Sequence, residues 1–175
     1  MLAGARVGPQ EELVHPYRAR LRMEVEEGMN ENTGDAGAPG GTGAPESPSN
    51  GSEAAFVDAR VMHAMALERL DAADIRDAAE KAWCATKRAT DGLIIARTGQ
   101  EPKKSPDTTR LLRQLSFEDP HVRPLSHLYS TARDHLHGDC FYSGLCEPVE
   151  ETLRLIRETG DYIAEAERLA TRRAG

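Results

Sequence analysis

Residues 75–99 read IRDAAEKAWCATKRATDGLIIARTG, and their reading decides the fold. Ile75, Ala78, Ala79, Ala82, Trp83, Ala89, Leu93 and Ala96 recur at intervals of three and four, the period of an α-helix with one buried stripe. Asp74 stands ahead of the stripe as an N-cap and Gly99 behind it as a C-terminal stop. Most of the stripe is Ala, which lets a neighbouring helix approach closely, and Trp83 is its one large anchor. Such a helix belongs inside a bundle of helices.

The flanking sequence keeps the same period. Residues 54–70, AAFVDARVMHAMALERL, place Phe56, Val57, Val61 or Met62, Met65 and Leu70 near one stripe and predict a first helix, with a break at Asp71 to Asp74. After the loop QEPKKSPDTT, Ser105 or Asp107 can cap a short helix carrying Leu111, Leu112 and Leu115. Pro120 and Pro124 delay the next helix, whose body from Leu125 to His137 carries Leu125, Leu128, Tyr129, Ala132 and Leu136, with Gly138 as its stop. The last helix follows Pro148 and shows Val149, Leu153, Ile156, Gly160, Ile163 and Ala170 along one side. The expectation is an all-α, up-and-down antiparallel bundle of four main helices plus one short helix. Its expected core contains Trp83, Leu93, Leu128, Leu136, Leu153, Ile156 and Ile163.

Composition divides the chain at residues 30–52, which are dominated by Gly, Ala, Pro, Ser and acids and cannot bury enough apolar surface to offset their ordering entropy. Three regions are expected: a 1–29 N-terminal segment with room for a short helix, a flexible linker over 30–52, and a bundle over 53–172. Across all 175 residues, 22 Lys and Arg stand against 29 Asp and Glu, a net charge of -7. That balance argues against binding nucleic acid by bulk electrostatics, so any RNA contact must be local. No run of eighteen apolar residues occurs and the N-terminal stretch lacks a secretory pattern, so a cytoplasmic protein without membrane contact is expected. Three cysteines, Cys84, Cys140 and Cys146, fit reduced thiols better than a disulfide framework.

Chemistry concentrates in residues 133–146, RDHLHGDCFYSGLC. One division of labour has Leu136, Phe141 and Tyr142 closing the bundle end, Gly138 ending the helix, and Cys140 and Cys146 as free thiols. Arg133 and His137 then remain, four residues apart and so on one helical face. His135, His137, Cys140 and Cys146 also offer two nitrogens and two sulfurs to zinc, although histidines two apart on a helix point in different directions. The glycine-rich TGDAGAPGGTG lacks the strand and the Gly-Lys-Ser of a phosphate loop, and no cofactor is expected. His63, His121 and His127 have no partner at a diagnostic spacing.

Taken together, AAEKAW at residues 78–83, LHGDCFY at 136–142 and the acidic helix from Glu147 onward resemble the PaREP family of small helical proteins, related to the HEPN fold. The resemblance covers about residues 54–170. It implies a HEPN-like bundle. The wider HEPN class includes metal-independent endoribonucleases of toxin-antitoxin and defence systems, built on Arg, a polar residue and a following His, with two sites meeting across a dimer. Arg133, Asp134 and His137 align with that motif. An imidazole near neutral pKa can take the proton of a ribose 2'-hydroxyl, and a guanidinium can hold charge growing on the phosphate. This chain has three residues between Arg133 and His137 where the class usually has four to six. The first expectation is therefore a non-catalytic interaction protein, a homodimer or the partner of a small protein encoded nearby. The alternatives are the endoribonuclease and a small zinc protein.

Overall fold

The computed structural model describes residues 48–172, and among these every regular element is a helix. The 1–29 segment and residues 30–47 of the expected linker lie outside the described residues. α1 spans Pro48–Asp71, α2 Ile75–Thr98, α3 Ser105–Glu118, α4 Arg123–Thr131 and α5 Val149–Thr171. α4 continues without a break into a π-helical segment, Ala132–Tyr142.

The signals around α2 operate as its sequence implies. Asp74 Oδ1 accepts the amide of Asp77 at 3.2 Å, and Gly99 closes the helix in the left-handed region at φ 68°. The tight turn at residues 72–74 reverses the chain, so α1 runs antiparallel to α2. Trp83 lies beside Tyr129, Glu80 beside His137 and Ile75 beside Cys140, which sets α4 and its π-helical continuation antiparallel to α2 as well. α5 runs the other way, with Tyr162 at Thr90 and the Leu169 carbonyl at Arg97. These four helices go up, down, up, down. α3 lies along the C-terminal half of α2, from the Thr108 bond to Asp91 to the Arg97 bond to Asp119.

α2 is the central element, buried on more than one side by Ala78, Ala79, Ala82, Trp83, Ala85, Ala89, Leu93 and Ile94. Its alanines admit α1 closely, and that face is filled from within the chain. It also buries polar groups, each with a partner. Asp91 accepts from Lys87 Nζ at 2.7 Å and Thr108 Oγ1 at 2.7 Å, and the Thr90 and Tyr162 hydroxyls meet at 2.6 Å. Burial pushes the Tyr162 phenol far up, so it stays a neutral hydroxyl.

Several expectations are corrected. α1 begins at Pro48, so the last five residues of the expected 30–52 linker are helical. Ser52 is buried and donates to the Gly92 carbonyl at 2.9 Å, which anchors that first turn. The inward stripe of α1 is Ala55, Phe56, Ala59, His63 and Ala66, leaving Val57 and Val61 exposed. Leu128 is 50% exposed, because Leu125, Tyr129, Ala132, Leu136 and Cys140 set the inner face and Leu128 falls off it. Leu153 is only half-buried, whereas Thr152, Leu155, Ile156, Thr159, Tyr162, Ile163, Ala166 and Leu169 face inward. Thr159 hides its polarity by donating to the Leu155 carbonyl at 3.0 Å. The rest of the expected core, Trp83, Leu93, Leu136, Ile156 and Ile163, is buried.

Candidate functional site

Gly138 does not stop the helix. Backbone bonds close over five residues there, as from the Ser143 amide to the Gly138 carbonyl at 3.1 Å, and the helix runs on to Tyr142. The stop comes at Gly144, which takes φ 71° at no steric cost. Tyr129, Arg133, His137 and Phe141 follow one another at four-residue intervals along this helix. Ring contacts show that the three rings share one side, with Arg133 beside Tyr129: Trp83 meets Tyr129 at 5.2 Å and His137 at 5.6 Å, and His137 meets Phe141 at 6.0 Å. Phe141 is half-buried, but Tyr142 is 76% exposed, with its ring edge-on to His137 and Phe141, so it does not close the bundle end.

His137 is built into this wall. Glu80 Oε2 accepts from His137 Nδ1 at 2.7 Å, which places the ring proton on Nδ1 and leaves Nε2 without a partner among the described residues. The imidazole side chain is 34% exposed. The other carboxylate oxygen of Glu80 takes a weak contact from Cys84 Sγ at 3.8 Å, and burial, reinforced by that carboxylate, pushes the Cys84 thiol up. Cys84 is thus kept as a protonated, packed thiol.

Arg133 has a different setting. Its Nε donates to Asp134 Oδ1 at 2.7 Å, a bond that raises the guanidinium pKa further. Its other surroundings are Tyr129 and a groove along α3 lined by Ser105, Pro106, Thr109, Arg110 and Arg113. Arg133 and His137 therefore lie on one side of the same helix, but each is bonded to a different carboxylate and neither is bonded to the other.

The proposed zinc set does not come together. Cys140 and Cys146 are joined in a disulfide, which corrects the expectation of free thiols: the turn after the π-helical segment brings their Cα atoms within 4.1 Å. Neither sulfur is then a thiolate ligand. Thr152 Oγ1 spends its hydrogen on the Cys146 carbonyl and so accepts from His135 Nε2 at 2.7 Å, while His137 is bonded to Glu80. Among the described residues no group of three or more His, Cys, Asp or Glu side chains is placed to hold a metal ion.

Two features escaped the sequence reading. Glu80 is a carboxylate one helical turn before Trp83 and Cys84, and that spacing was the available signal. His63 is buried, donates from Nε2 to the Ile156 carbonyl at 3.1 Å and faces Gly160, where a Cβ would come within 3.0 Å of its Cε1. Burial holds its imidazole below the ordinary value. His63 is thus a neutral spacer between α1 and α5.

Among the described residues no helix is long and apolar enough to cross a membrane. Comparison of the chain with protein-family models, curated proteins and solved structures gave no match.

Proposed function

We propose that this bundle is a HEPN-like, PaREP-type interaction protein that acts as a homodimer or with a small protein partner rather than by cleaving RNA. The observation that carries this reading is the use of the candidate catalytic pair inside the fold. His137 is stacked between Trp83 and Phe141 and tied to Glu80, and Arg133 is tied to Asp134. Exposed apolar side chains at Val57 and Val61 on α1, Phe117 at the end of α3 and Leu128 on α4 give such a protein surface to bury against a partner. The Ala face of α2 and Gly160 of α5 are occupied within the chain, so association falls to these outer residues. Sedimentation equilibrium at micromolar concentration tests the homodimer. A dimer that Val57→Glu with Val61→Glu returns to monomer supports it, and a strict monomer leaves the reading with a different protein partner.

The endoribonuclease is a second reading, favoured by one observation. Glu80 holds Nδ1 of His137 and leaves Nε2 free, the tautomer and orientation a general base needs. Arg133 would then meet the phosphate charge, with Asp134 fixing its Nε. RNA incubated with the protein in EDTA decides between the two readings. Products with 2',3'-cyclic phosphate ends, lost in Arg133→Ala and in His137→Ala, would establish the nuclease.

A further inference from the structure

Among the described residues, the groove between α3 and the π-helical segment gathers three arginines on an otherwise acidic chain. Residues 101–113, EPKKSPDTTRLLR, hold Lys103, Lys104, Arg110 and Arg113 against Glu101, which pairs with Lys103, and Asp107. Arg110 and Arg113 succeed each other along the exposed side of α3, and Arg133 joins them from the facing helix. Among the described residues no carboxylate lies within ion-pairing distance of Arg110 or Arg113, although other arginines of the bundle are paired, as Arg60 is with Glu167, Arg88 with Asp58 and Arg154 with Glu151. Arg133 spends only Nε on Asp134, so among the described residues its two terminal nitrogens have no acceptor. The hydroxyls of Ser105 and Thr109 line the same groove, an open concavity of about 490 Å³.

From this we propose that Arg110, Arg113 and Arg133 form a binding site for a compact phosphate dianion, free or as the phosphomonoester of a small molecule. Guanidinium forks match phosphate oxygens, and three of them with the Ser105 hydroxyl meet both its charge and its acceptors, while Thr109 Oγ1 spends its hydrogen on the Ser105 carbonyl at 3.0 Å. Size follows from the charge balance. At physiological ionic strength fields fade over about 8 Å, so a single phosphate in the groove senses mainly the three arginines. A long polyanion would extend over the rest of a chain whose net charge is -7 and lose much of that attraction. The inference does not depend on dimerisation or on RNA cleavage, since it invokes neither His137 nor a partner copy.

An NMR titration of the full chain that follows the arginine Nε–Hε resonances, with inorganic phosphate, adenosine monophosphate, adenosine and a single-stranded RNA oligonucleotide as separate probes, tests it. Phosphate and adenosine monophosphate are expected to saturate shifts at Arg110, Arg113 and Arg133, adenosine to leave them unmoved, and salt to weaken binding. A preference for the mononucleotide over phosphate would identify a phosphomonoester as the ligand, and equal binding would identify free phosphate. Arg110→Ala with Arg113→Ala is expected to weaken phosphate at least about tenfold, because each removes a charge-assisted contact. Both arginines are exposed, so unchanged circular dichroism should accompany the loss. No saturable phosphate binding, unchanged affinity in the double variant, or RNA binding without phosphate or mononucleotide binding would each overturn the proposal.

Discussion

Glu80 Oε2 accepts a hydrogen bond from His137 Nδ1 at 2.7 Å across 57 residues of sequence, joining α2 to the π-helical segment over the face of Trp83. His137→Ala removes this bond and the ring between Trp83 and Phe141. It should cost about 2–4 kcal/mol, the sum expected for one hydrogen bond and two ring contacts. Thermal melting followed at the single tryptophan reads the loss directly. An unchanged melting temperature would mean that His137 is not part of the wall, and would return it to the list of free catalytic groups.

Trp83 is 4% exposed and touches Tyr129 as well as His137. Trp83→Ala should cost about 3–5 kcal/mol. Urea unfolding monitored by circular dichroism measures it, and a loss below about 1 kcal/mol would contradict the burial.

Gly160 faces His63, and a Cβ there would meet an imidazole that its bond to Ile156 keeps from moving away. Gly160→Ala alone should destabilise by about 1 kcal/mol or more through overpacking, despite the better helix propensity of Ala. In a His63→Ala background the obstacle is gone, and the same change should add up to about 1 kcal/mol. A double-mutant cycle isolates this reversal of sign.

The depressed pKa of His63 makes stability depend on pH. Above the ordinary imidazole value of 6.5 the group is neutral in both states and contributes no slope. As pH falls below that value the unfolded chain takes up a proton that the folded chain refuses, so folding weakens, and the loss is complete once pH passes the folded pKa. His63→Gln should flatten the melting temperature between the ordinary imidazole value and the folded one. An identical pH profile in that variant would assign the effect to other groups.

With Cys140 and Cys146 joined, a thiol assay on the unfolded, unreduced chain should find one free thiol, Cys84, and three after reduction. Three thiols before reduction would remove the disulfide and restore the two sulfurs as candidate ligands.

Much of the fold was legible in α2. Its three-and-four spacing, the Asp74 cap and the Gly99 stop are local effects of backbone geometry, and they predict a helix whatever it touches. The buried Trp83, Leu93, Leu136, Ile156 and Ile163 follow from the same periodicity. Periodicity misplaced Leu128 and Leu153, because Tyr129 and the threonines of α5 also turn inward once their polar atoms find partners. Thr159 finds its partner within α5, but those of Tyr129 and Thr152 lie in other segments and are invisible from one helix. Gly138 looked like a stop on propensity alone, yet the chain takes a π-helical path through it and ends at Gly144. Residues Arg133 and His137 were named from their types and spacing. Only the tertiary structure decided that His137 is bonded to Glu80 and that Arg133 faces Arg110 and Arg113, because each of these contacts joins segments that local sequence does not connect. The sequence alone determined that this is a helical bundle with its chemistry gathered near residue 133; the meeting of helices distant in sequence decided what each of those side chains is free to do.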